Sequence, residues 1–189
     1  MKRSLILTLV MSLIAVSGAN AQGFFENFSK DLRYAFSLGI GSAYPFNPNS
    51  FEANYDPSFG MMLDLGAAKQ WVEASGTFDY SFFMNNGTTP DDANIMTLFM
   101  TVKVKPLKTS VRPYILVTGG WFRYWIVNLD ITENVIGYGG GVGIEVEIGK
   151  TRRLFLEAKH VQGQTRSTEQ QANTEIIPVR FGVTWSFGG

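Results

Sequence analysis

Few residues of this chain can carry out covalent chemistry. None of its 189 residues is a cysteine, which removes disulfides, thiolate metal sites, a cysteine nucleophile and a lipid-modified N-terminal cysteine. The one histidine is His160, so a multi-histidine metal centre is excluded. Acyl transfer by a serine needs a base beside it and an acid to orient that base. His160, Ser167 and Glu175 supply those types in sequence order. The alternative to a catalytic base is a histidine at the rim.

The chemistry carried in quantity is electrostatic. Asp64, Glu73, Asp79, Glu145, Glu147 and Glu157 stand against Arg33, Lys103, Lys105, Arg123, Lys159 and Arg180. Each occupies an alternate position in a stretch whose other positions are apolar. Gathered in a narrow interior, such charges are costly unless they pair. The pairing reads as a plug that closes a barrel. The alternative is a charge-lined, gated conduit for small solutes. Gly137, Gly139, Gly141 and Gly143 recur at a period of two, which is not the spacing of a dinucleotide loop, and no strand-to-helix switch follows. They read as space for long Arg, Glu and Lys side chains from other strands. No cofactor and no metal is implied.

Strands must hold these charges. From Leu32, large residues (Leu32, Tyr34, Phe36, Leu38, Ile40) alternate with Arg33, Ala35, Ser37, Gly39 and Gly41, giving one apolar and one small or charged face. The pattern recurs from Ser58, Val72, Met96, Tyr114, Ile136, Leu154 and Ile177, which predicts eight strands of roughly 10–14 residues. In the fifth, Tyr114, Leu116, Thr118, Phe122 and Tyr124 are read on the apolar side, opposite Arg123. Long connections (44–57, 85–92, a loop through 128–130, and 163–174) alternate with tight turns. An up-and-down barrel then gathers all the long loops at one end. The turns carry Lys69, Lys108, Arg112, Lys150, Arg152 and Arg153. The long loops carry Glu52, Asp56, Asp91, Asp92, Asp130, Glu133 and Glu169 against Arg166. Two rims of opposite potential are expected.

The apolar faces are nearly free of charge over whole strands. Exposed to water they would form patches larger than soluble monomers tolerate, whereas lipid accepts them and barrel closure satisfies the backbone. Aromatic residues near strand ends (Tyr34, Tyr44, Phe46, Tyr80, Phe82, Tyr124, Trp125, Trp185, Phe187) suit interfacial girdles. Charged residues make up only 17% of the chain and aromatics 14%, with 20 glycines, which favours an all-β protein over a helical bundle. The net charge of +0 argues against nucleic acid as a partner.

At the N-terminus, Met1-Lys2-Arg3, an apolar run from Leu5 to Val16 and an Ala-x-Ala pattern ending at Ala21 have the layout of a secretory signal. Sec-type export with cleavage after Ala21 removes two bases and leaves the mature chain at net −2. Residues 1–21 are thus expected to be a signal peptide, 22–31 a short periplasmic segment and 32–187 the barrel.

Three stretches resemble the small outer-membrane β-barrels of the eight-stranded OmpA/OmpX-like, opacity-type class. They are Arg112-Pro113-Tyr114 through Trp121, the glycine-rich run Gly137 to Glu147, and Ile177 through Phe187. The resemblance implies an all-β, eight-stranded antiparallel up-and-down transmembrane barrel with a charged, glycine-rich lumen, resident in the cell outer membrane. It also implies that the closing strand is read by the barrel-assembly machinery through Trp185 and Phe187, although Gly188-Gly189 follow where the class usually ends on the aromatic. Such barrels serve as adhesins, structural proteins, narrow channels and lipid-modifying enzymes. Barrel lipid A deacylases place a histidine, a serine and an acid near the position of His160. The expected function is a non-enzymatic structural or surface-interaction barrel presenting four extracellular loops. A narrow channel and a lipid A-modifying enzyme are the alternatives. Its expected partners are outer-membrane lipids and lipopolysaccharide, the assembly machinery, and host or surface ligands bound through the loops.

Overall fold

The computed structural model describes residues 32–46, 55–87, 91–107, 109–126, 131–163 and 174–188. The signal peptide and periplasmic segment expected over 1–21 and 22–31 lie outside the described residues, as do the middles of the longer loops.

Eight strands form: β1 (Arg33–Pro45), β2 (Ser58–Lys69), β3 (Val72–Phe83), β4 (Ala93–Val104), β5 (Val111–Ile126), β6 (Ile131–Glu147), β7 (Arg152–Gly163) and β8 (Thr174–Phe187). Each pairs antiparallel with the next, and β8 pairs with β1, from Tyr34↔Phe187 to Pro45↔Ile176. The result is a closed ring in which no strand edge is left unpaired. Following the cross-strand partners once around from Tyr34 returns to β1 at Tyr44, a stagger of ten residues. Such a stagger over eight strands tilts them within the usual range of roughly 35–45° and leaves an interior that side chains can fill.

The turns follow from local chemistry. Between β2 and β3 only Gln70 and Trp71 intervene, and Gln70 takes a left-handed φ of 56° to make the reversal. The Lys105 N–H donates to the Trp71 carbonyl at 2.6 Å, tying this turn to the end of β4. At the other end, Tyr55 bridges to Asn85, and Asn85 is held by Asp92 Oδ1, which accepts from its backbone N–H at 3.0 Å. Long and short connections do not alternate strictly. The β5–β6 connection is confined to 127–130, because pairing continues out to Ile126↔Ile131. Here the additional chain is strand rather than loop, so the ring has three long connections and one extended hairpin.

Seven strands face as their alternation predicts, and β5 is reversed. Tyr114, Leu116, Thr118 and Phe122 are buried inside, while Ile115 (61% exposed) and Val117 (63%) point outward. Both faces of β5 are rich in apolar residues, so hydrophobicity cannot choose between them. The register with β4 does: Thr118 pairs with inward Thr101 and Leu116 with inward Lys103. By the same register Arg123 lies opposite Met96 and shares its outward face, and the inward Ile95 carries Tyr124 with it.

The exterior is an apolar girth that includes Leu38, Ile40, Met61, Leu65, Leu98, Met100, Ile136, Val142, Leu156 and Phe181, all exposed. Tyr34, Trp71 and Phe187 flank it at the turn end, and Tyr44, Phe46, Trp121 and Tyr138 at the loop end. Tyr124 belongs to neither girdle, because it packs against the interior.

Candidate functional site: a three-tiered lumen

Every inward side chain contributes to one of three tiers. The middle tier is ionic. Arg180 is fully buried. Its Nη2 donates to Asp79 Oδ1 at 2.7 Å and to Ser81 Oγ at 2.6 Å, and its Nη1 donates to the Ser42 carbonyl at 2.7 Å. Gly60 makes this possible, since a Cβ there would collide with the guanidinium. Lys159 lies 3.3 Å from Asp79 and 3.8 Å from Glu157. Lys103 reaches Asp64 at 2.8 Å, Glu157 at 3.3 Å and Glu73 at 4.0 Å. Lys105 joins Glu73 and Glu145, each at 2.6 Å, and Arg153 completes Glu145 at 2.9 Å. Five carboxylates are thus matched by five cations, nearly all across strands. This matching is what burial requires of charge.

Polar neutral groups fill some of the remaining valences. Tyr114 donates its hydroxyl to Glu157 Oε2 at 3.0 Å. Its ring lies near two ammonium groups, 5.6 Å from Lys103 Nζ and 5.7 Å from Lys105 Nζ, which its π-face attracts. Gly143 accommodates that ring; a side chain there would occupy the same space. Thr77 Oγ1 donates to Asp64 Oδ1 at 3.2 Å and lies 2.8 Å from Thr101 Oγ1, which lies 2.8 Å from Thr118 Oγ1.

The loop-end tier is apolar. Ala43, Tyr55, Phe83, Ala93, Ile95, Phe99, Phe122, Val161 and Ile176 form one buried cluster, with Tyr124 and Val135 against it. The Phe122 ring fills the space over Gly137 and Gly163. Two glycines of β6 make room for rings, Gly137 for Phe122 and Phe99 and Gly143 for Tyr114, while Gly139 and Gly141 meet the backbone of β7. Only at Gly141 is the neighbour a charged residue, Lys159, and there through its Cα and Cβ. At the turn end the lumen widens into a basin lined by Arg33, Lys105, Arg112, Glu147 and Arg153 among others.

Of the twelve charged residues expected inside, nine form the network. Glu147 sits at the basin mouth in an ion pair with Arg112, and Arg33 lines the basin without an ion pair among the described residues. Arg123 is not in the lumen. It stands on the outer face, its guanidinium 5.4 Å from the Trp125 ring centroid, for the register reason given above. Two network members escaped the sequence reading. Arg153 was grouped with the turn charges, although stepping back by two from Lys159 through Glu157 and Phe155 arrives at it. Tyr114 was lost with the inverted face of β5.

Outside the lumen, His160 points outward near the loop end. Its Nε2 lies 3.0 Å from Glu175 Oε2, and its ring meets Phe46 edge-on at 5.2 Å. Ser167 lies outside the described residues. Trp185 packs on Phe36 at 5.7 Å, and Phe187 is exposed opposite Tyr34. Among the described residues, no three of His, Asp and Glu converge as a metal site.

No protein-family model and no curated protein matches the chain. Solved structures match its fold. Neisserial surface protein A superposes with a TM-score of 0.63 at 12% identity, over 82% of this chain and 97% of that one. A major outer membrane protein from Thermus thermophilus gives 0.52 at 14%, over 82% and 99%. Ail, the attachment invasion locus protein of Yersinia pestis, solved in complex with the heparin analogue sucrose octasulfate, gives 0.52 at 10%, over 83% and 99%. At these identities the likeness is one of fold, and that fold is the closed eight-stranded barrel these outer-membrane proteins share.

Proposed function

We propose that the protein is a closed outer-membrane barrel that works through its surface, as a structural and surface-interaction protein, and neither conducts solutes nor catalyses a reaction. The filled lumen supports this reading most directly. A five-to-five ionic tier lies beneath an apolar tier, and opening a path would expose buried charges and separate packed rings together. The acidic long connections face the outside and the short basic turns face the periplasm. The partners are lipopolysaccharide and other outer-membrane lipids around the girth, ligands at the loop end, and the assembly machinery at Trp185 and Phe187. The heparin-analogue complex of Ail supports ligand binding by a barrel of this fold. Planar-bilayer recording should give no steady conductance; a discrete, reproducible conductance overturns the closed-lumen reading. Protease added to intact cells should cut within 45–57, 85–93 or 163–174. Cuts confined to the turns at 70–71 or 148–151 invert the topology.

One observation favours a second reading. His160 and Glu175 form a base–acid pair on the outer face near the loop end, two of the three side-chain types that acyl transfer by a serine needs. Mass spectrometry of lipid A from cells carrying the wild type or His160→Ala decides. An unchanged acylation pattern removes the enzymatic reading.

A further inference from the structure

We propose that the turn end of the barrel is a binding basin for a compact oligoanion, a small molecule carrying two or more phosphate or carboxylate groups. The basin has a volume of about 440 Å³, within the range that takes a small molecule.

Its charge is one-sided. The ionic network is neutral by itself, with five acids against five bases, and Arg112 is matched by Glu147. Arg33, Lys150 and Arg152 also line the basin, and among the described residues they form no ion pair. These three cations are surplus to the plug. Arg33 faces this concavity, while Lys150 in the turn and Arg152, on the outward face of β7 opposite Trp185, stand at its rim. Together they repel one another and focus a positive field, which a bound anion relieves. Two of the three are arginines, whose planar fork fits phosphate and carboxylate oxygens in pairs. Three surplus charges call for a polyvalent ligand rather than a monovalent one.

The rim supplies the apolar remainder of a site. Trp71, half exposed, and Leu107 stand beside the cations and offer a surface for a ligand's carbon skeleton. Trp71 is also a reporter, because Trp121, Trp125 and Trp185 are not among the basin's lining residues. That the basin opens to the periplasm rests on the topology proposed above. Its preference for anions does not.

The test uses the mature chain folded in uncharged maltoside micelles, which leave both ends of the barrel accessible, so that the result does not depend on topology. Inorganic pyrophosphate and, separately, citrate are titrated at low salt, with Trp fluorescence and calorimetry as readouts. Saturable binding is expected with a dissociation constant below about 1 mM, weakening as salt screens the basin. The double variant Arg33→Gln/Arg152→Gln should bind at least about tenfold more weakly while still migrating as a closed barrel. Arg123→Gln, on the far outer face, should bind as the wild type does. Trp71→Phe should abolish the optical signal and keep the heat. Binding of only one of the two anions supports the proposal and assigns phosphate or carboxylate. Absence of heat with both anions, or equal affinity in wild type and double variant, overturns it.

Discussion

At the loop end the lumen is filled by rings, and towards the turn end by charges, although the same eight strands line both. Phe83, Phe99 and Phe122 come from three strands and meet Gly137, Gly163, Ala43 and Ala93, so volume at one position is taken from its immediate neighbour. Lower down, Arg180 of β8 depends on Asp79 of β3, and Lys105 at the end of β4 depends on Glu73 of β3 and Glu145 of β6. Apolar filling is local and degrades by degrees, since neighbours relax into a void. Ionic filling is all-or-none for each partner, because a charge left alone in the interior cannot relax into solvation.

The largest loss is therefore expected at Arg180→Ala, about 3–5 kcal/mol, as for any buried pair broken from one side. Urea unfolding in micelles, read by the gel shift between closed and unfolded chain, measures it. Phe122→Ala in the apolar tier should cost about 3 kcal/mol, and Phe122→Leu only about 1 kcal/mol, because a smaller apolar side chain still fills most of the site. If Phe122→Leu proved as damaging as Arg180→Ala, the contrast between the tiers would be lost. Gly143→Val drives a side chain into the Tyr114 ring and should cost about 2 kcal/mol by overpacking. It should also shift the ultraviolet absorbance of Tyr114 as its hydroxyl leaves Glu157. Outward Leu98→Ala should cost about 1 kcal/mol in the same assay, since lipid or detergent occupies the space. Arg112→Ala and Arg123→Ala, at the mouth and on the outer face, should each cost under about 1 kcal/mol. A loss at Arg123 as large as that at Arg180 would return Arg123 to the lumen and break the β4–β5 register on which its placement rests.

How much of this was legible in the sequence depends on contrast between faces. In β3, Glu73, Ser75, Thr77, Asp79 and Ser81 alternate with Val72, Ala74, Phe78 and Tyr80, and hydrophobicity alone assigns both faces. In β5, Tyr114 and Ile115, or Phe122 and Trp121, are equally apolar. The decision there belongs to pairing with β4, which no single strand encodes. The apolar tier was hidden for the same reason. Alternation in β4 and β7 places Phe99 and Val161 inward, but Phe122 is read outward with the rest of its face, so the sequence does not show the rings meeting. The ionic tier was legible because charge at alternate positions has few other homes in such a strand. Arg153 escaped only because it stands one residue inside a strand that begins among turn charges.

The cross-strand matching of the lumen charges also constrains the order in which this barrel can be made. Asp79 is delivered with β3, and its partners Lys159 and Arg180 arrive only with β7 and β8. Asp64 of β2 waits for Lys103 of β4, and Glu145 of β6 is completed by Arg153 of β7. A half-built sheet laid into hydrocarbon would carry lone carboxylates on one face, at a cost of several kcal/mol for each. The inner face must therefore stay wet or sheltered until the last strand docks, and water leaves the middle of the tube at the moment of closure. Insertion strand by strand is disfavoured by the very charges that stabilise the finished ring, and the seam between β1 and β8 becomes the step that commits the chain to the membrane.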